Sequence, residues 1–172
     1  MGNDFKDKRQ RKVTVILFGA YLLMLIWIVV FKLQIPGLMG PLPHIRGINL
    51  IPFYYSRENE LHLKEVLYNV VVFIPFGIYS GIFLSDKPLP LRLAPACFAS
   101  LIFESTQFVF HIGASDITDL ITNSMGSVIG ILVYFLLGKI FPNKKITLIN
   151  IIGTMIAFTG LAIFVLTIAE NI

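Results

Sequence analysis

Apolar residues gather into five long runs, at 13–32, 66–85, 92–111, 117–138 and 146–169, with most of the charged residues and prolines between them. A helix needs about 20 residues to cross the hydrocarbon core of a bilayer, and each run supplies them. The pattern predicts an all-α fold, a polytopic membrane bundle of five transmembrane helices. It divides the chain into a basic tail at 1–12, a four-span membrane domain at 13–138 with a long loop at 33–64, and an inner loop with the fifth helix at 139–172.

The polar residues inside the runs are not scattered. Glu104, Gln107 and His111 recur at i, i+3 and i+7, one face of the third helix, and Asp116, Asp119 and Asn123 do the same on the fourth, across a hinge at Gly113. Glu65 and Asn69 share a face of the second. An acid placed in hydrocarbon costs about 2.5 to 3.5 kcal/mol on insertion scales, so such groups face a protein interior or a wet cavity. The expected binding site is therefore a polar pocket of Glu104, Gln107, Asp116, Asp119, Asn123 and Asn69.

Composition reinforces the membrane reading. With 172 residues, 56% hydrophobic and a mean hydropathy of +0.80, the chain is too apolar for a soluble domain. Its formal charge of +4 does not point to nucleic acid, because the basic residues flank the runs and form no groove-like patch. With the amino terminus cytoplasmic, Lys6, Lys8, Arg9, Arg11, Lys12, Lys87, Arg92, Lys139, Lys144 and Lys145 lie inside. Only Lys32, Arg46, Arg57 and Lys64 then lie outside, as the positive-inside rule prefers. That orientation sets the polar faces of the second, third and fourth helices in the outer half, opening outward.

The first run resembles a signal peptide, but no small-x-small cleavage site follows, so a retained anchor helix is expected. Lys6 in MGNDFK argues against myristoylation at Gly2. Cys97, the one cysteine, reads as a small packing residue.

The loop at 33–64 is broken by Pro36, Pro41, Pro43 and Pro52, and its segment INLIPFYY is too apolar for free solvent and too short to span. It is expected at the interface or over the pocket, with Phe53, Tyr54 and Tyr55 at headgroup level. Asn49 either reaches the pocket from above or caps a turn before Pro52. In the second helix Pro75 deletes the backbone bond to Val71. Gly77 with Gly81, and Gly126 with Gly130, form GxxxG pairs that allow close helix packing, and homo-oligomer formation through them stays open. Helices one and five carry almost no polar groups and read as supports.

Chemically, Asp116 near a helix start suits an N-cap, whereas Asp119 sits a turn deeper beside Asn123. Clustered carboxylates can bind a divalent cation, a proton or a cationic or hydroxyl-rich headgroup, or hydrogen-bond one another. His111, His44 and His62 match no metal-ligand spacing, and no phosphate loop or nucleophile elbow occurs, so no metal and no cofactor is expected. The alternative to a binding protein is an intramembrane enzyme acting on a lipid or cell-wall precursor, with Glu104 and Asp119 as an acid/base pair.

From about Leu25 to Gly130 the chain resembles the VanZ family, through LIWIVVFKLQ, NLIPF, NVVVFIPFG and FESTQFVFHIGASDITDLITNSMGSVIG taken in that order. The positions that carry the resemblance are Asn49, Pro52, Phe53, Asn69, Phe73, Pro75, Gly77, Glu104, Gln107, Asp116, Asp119, Asn123 and Gly126. It implies a multi-pass bacterial plasma-membrane protein associated with low-level resistance to the glycopeptide teicoplanin. Its partners would be membrane lipids and a lipid-linked cell-wall precursor or lipoglycopeptide. Where more distant members have an Arg before the acidic pair, this chain reads HIGAS, so an Arg-dependent anion site is not expected.

Overall fold

The computed structural model describes residues 8–35, 38–39, 45–53 and 60–171. Pro36, Pro41, Pro43, His44, Tyr54, Tyr55, Arg57, Gly2 and Lys6, with the side chains of Arg46 and His62, lie outside the described residues. The elements are α1 (Lys8–Val29), β1 (Ile45–Asn49), α2 (Glu60–Phe83), α3 (Leu89–Phe110), β2 (Ile112–Asp116), α4 (Ile117–Ile140) and α5 (Lys145–Ala169). All five helices are long and apolar enough to cross a membrane. The first two begin earlier than their apolar runs because KRQRK and ELHLKE consist largely of strong helix formers.

The pattern of apolar runs did not announce the two strands. They form a parallel ladder in the register Ile45↔Ile112, Arg46↔Gly113, Gly47↔Ala114, Ile48↔Ser115 and Asn49↔Asp116. Backbone that leaves a helix near a membrane must still pair its N–H and C=O groups, and the ladder does this for both connections at once.

Backbone contacts divide the chain into two units. One holds β1, α2, α3, β2 and α4 as far as Leu136. Its α3 buries Arg92, Ala96, Ser100, Phe103, Glu104 and Gln107, a single helical face. Helix α4 buries Thr118, Thr122, Asn123, Gly126, Ser127, Gly130, Ile131 and Tyr134. Phe73 is fully buried, stacked on Phe76 with ring centroids 5.8 Å apart and edge-on to Phe103 at 6.3 Å. The opposite faces carry exposed Phe98, Leu101, Ile102, Val109, Leu132 and Leu136, an inside-out arrangement suited to lipid.

The glycines bring α2 and α4 together. A Cβ added at Gly77 would lie 2.0 Å from the Ser127 carbonyl oxygen, at Gly130 2.0 Å from that of Ile74, and at Gly126 2.2 Å from that of Val70. Gly81 is covered by the Tyr134 ring. Both GxxxG pairs are thus engaged within the chain. Helix α2 continues through Pro75, where Ser127 Oγ stands 3.5 Å from the Phe73 carbonyl oxygen.

At the end carrying Lys87, Arg92 is buried and ties down the α2–α3 turn. Its Nε donates to the Lys87 carbonyl at 2.7 Å, its Nη2 donates to that of Ser85 at 2.5 Å, and its guanidinium lies 4.7 Å from the Phe135 ring centroid. Ser80 Oγ in turn donates to the Arg92 carbonyl.

The second unit holds α1, the end of α4 from Leu137, and α5. Thr14 Oγ1 lies 2.9 Å from Asn150 Oδ1, Trp27 meets Phe164 edge-on at 4.9 Å, and Met24 covers Gly160. An apolar cavity of about 550 Å³ lies along these helices, lined among others by Ala20, Met24, Trp27, Ala157 and Phe164.

Candidate functional site

The polar residues of the first unit fall into two levels. A half-buried rim comprises Asn49, Asn69, Asp116 and Asp119. Beneath it lies a sealed floor of Ser100, Glu104, Gln107 and Asn123, of which Glu104 is 4% exposed and Asn123 1%.

The rim is built from amide–carboxylate pairs. Asn69 Nδ2 on α2 donates to Asp119 Oδ1 on α4 at 2.7 Å. Asn49 Nδ2, closing β1, donates to Asp116 Oδ2 at the end of β2 at 3.0 Å. Asn49 Oδ1 also accepts the Ile51 N–H at 3.1 Å, an Asx turn immediately before Pro52. Asp116 caps α4 as well, its Oδ1 taking the Thr118 N–H at 2.7 Å. Thr118 Oγ1 accepts the Phe53 N–H at 3.0 Å, so the NLIPF turn is fastened to the first turn of α4 at two points. Phe53 itself has a left-handed backbone, φ 55°. A bulky residue rarely adopts that conformation, and the contact to Thr118 holds it there.

Glu104 links floor to rim. Its Oε2 accepts the Asp116 backbone N–H at 2.9 Å, and the Asp116 and Asp119 carboxylates lie within electrostatic reach. One turn earlier on α3, Ser100 Oγ accepts from Asn123 Nδ2 at 2.8 Å. Gln107 packs under Gly113, where an added Cβ would stand 3.3 Å from the Gln107 Cδ.

Two positions differ from the spacing argument. His111 does not continue the Glu104–Gln107 face: α3 ends at Phe110, and His111 is its C-cap with φ 59° and ψ 29°. Its N–H reaches back toward the Gln107 and Phe108 carbonyls. Glu65 is exposed, whereas Asn69 turns inward. Ser100 and Thr118 are the contributors that spacing arguments missed. Ser100 stands four residues before Glu104 on the same face, and that interval was the available signal. Among the described residues no group of three or more His, Cys, Asp or Glu side chains is arranged to hold a metal ion.

A sequence model of the VanZ/LLP1 family matches residues 18–138, which contain every rim and floor residue. Protein VanZ of Enterococcus faecium is 37% identical to this chain over 150 residues, covering 87% of each protein. No solved structure matches the chain. On the length of the family match and the extent of that identity, this chain belongs to the VanZ/LLP1 family of multi-pass bacterial membrane proteins.

Proposed function

We propose that the protein contributes to low-level teicoplanin resistance, and that the rim of Asn49, Asn69, Asp116 and Asp119 is its binding site. The amino terminus is cytoplasmic in this reading and the rim opens to the outer face, as the distribution of Lys and Arg favours. The ligand is a lipid headgroup, a lipid-linked cell-wall precursor or the lipoglycopeptide itself, each rich in hydroxyl, amide or amino donors and each joined to an acyl or prenyl chain.

One observation carries the proposal. Two half-buried carboxylates, each steadied by an amide from another segment, Asn49 or Asn69, stand together at the edge of the cluster. Beside them Ile48, Leu50, Ile51 and Phe53 are exposed on the segment tied to Asp116 and Thr118. Anionic acceptors flanked by an apolar fringe suit an amphiphile at headgroup level.

The test is drug susceptibility in a sensitive bacterial host expressing the chain. Asp119→Asn keeps an oxygen for Asn69 but removes the charge, and Asn69→Ala removes its partner; both variants are expected to insert at normal levels and to lose resistance. Resistance unchanged in both would overturn the rim as the functional element.

A further inference from the structure

The end of β1 and the turn after it expose four large apolar side chains within six residues: Ile48, Leu50, Ile51 and Phe53, Leu50 most of all at 74%. The sequence between Arg46 and Arg57 holds no charge. The fold fixes this display. Asn49 is bonded to Asp116, and Phe53 is kept in its left-handed backbone, φ 55°, by the bond from its N–H to Thr118 Oγ1. A bulky residue seldom adopts that conformation unless it is held there.

The same bonds suit the backbone to surroundings with little water. Asn49 Oδ1 takes the Ile51 N–H, Thr118 Oγ1 takes that of Phe53, and Pro52 has none to satisfy. Non-helical backbone enters a membrane only where such groups are paired within the protein. The level of the turn follows from the helices. With 22 residues α3 is about 33 Å long, so its end at Phe110 and the start of α4 at Ile117 lie at the edge of a hydrocarbon core about 30 Å thick. Asp116 and Thr118 fasten the turn at that edge. Val109 and Phe110, at the end of α3, are exposed there too, and Val109 continues the outward face of Phe98, Leu101 and Ile102.

We propose that Ile48, Leu50, Ile51 and Phe53 form a wedge inserted into the bilayer leaflet on the rim side, with the acyl chains of phospholipids as its partner. The wedge anchors the connection between α1 and α2 to the membrane and sets the rim, to which it is bonded, at headgroup depth. It does not rest on the resistance reading or on which face the rim opens to, since it is tested on the purified protein with no antibiotic present.

Trp27 is the one tryptophan of the chain, so Trp27→Phe clears the background for a new fluorophore. In that background Leu50→Trp, with Ile51→Trp as a second probe, is reconstituted into vesicles of phosphatidylcholine with brominated acyl chains, which quench indole emission on contact. Leu101→Trp, on the exposed face of α3, is the hydrocarbon reference, and Asn143→Trp, exposed in the α4–α5 turn, is the water reference. Emission from both turn probes is expected to fall with brominated lipid nearly as far as that of Leu101→Trp, while Asn143→Trp stays bright. Turn probes as insensitive to brominated lipid as Asn143→Trp overturn the proposal. Aqueous iodide then shows what covers the patch instead: quenching places it in water, and no quenching places it under protein, either another part of this chain or a second copy.

Discussion

Asn49 and Asp116 stand opposite each other at the last rung of the parallel ladder, joined at 3.0 Å across 67 residues of sequence. The same aspartate caps α4 through the Thr118 N–H and offers its own N–H to Glu104. Four segments therefore meet at one residue: the NLIPF turn, β2, the end of α3 and the start of α4.

Removing that junction should be costly in a way that separates its charge from its geometry. Asp116→Ala deletes a helix cap and a cross-strand bond and is expected to lower stability by about 1 to 3 kcal/mol. Asp116→Asn keeps capping ability and should retain most of that stability. Unfolding of the two variants in detergent, compared with Asn49→Ala and the double variants, gives the coupling energy, expected at about 1 kcal/mol.

The α2–α4 contact is backbone against backbone, so it tolerates no side chain. Gly77→Ala and Gly130→Ala each place a methyl 2.0 Å from a carbonyl oxygen and should destabilise by about 1 to 3 kcal/mol or force the helices apart. Gly19→Ala is the control, because nothing lies within 4 Å of its added methyl. It should be neutral or stabilising by about 0.5 to 1 kcal/mol. Thermal unfolding of the three, side by side, checks this.

Arg92 reads from sequence as one more positive charge near the cytoplasm, yet it is buried against Phe135 and bonded to two loop carbonyls. Arg92→Lys keeps the charge but cannot present the planar fork or the stack. It should lose about 1 to 3 kcal/mol and show faster proteolysis within 84–88, whereas a purely topological role predicts no change.

The helices were legible because five apolar runs of membrane length leave little choice, and the inward face of α3 was legible because Glu104 and Gln107 keep helical spacing. That same logic failed at His111, where a helix end released the chain into a left-handed cap before the spacing could apply. The ladder could not be read. IRGIN and IGASD show no clear alternation of apolar and polar residues, and each finds its partner far along the chain. Ser100 and Thr118 escaped notice because small hydroxyl residues are common in membrane helices, and only their bonds to Asn123 and Phe53 set them apart. The amide–carboxylate pairing of the rim was likewise invisible, since spacing places residues on faces but does not say which faces meet.

The central claim is that the rim faces away from the cytoplasm, and labelling single cysteines in intact cells tests it most directly. In a Cys97→Ala background, Ala114→Cys places a thiol at an exposed rim position, and Lys87→Cys places one at the far end of α3, about 33 Å away along the helix. A membrane-impermeant maleimide should label the first in intact cells and the second only after permeabilisation. The reverse pattern would put the rim inside and contradict the account.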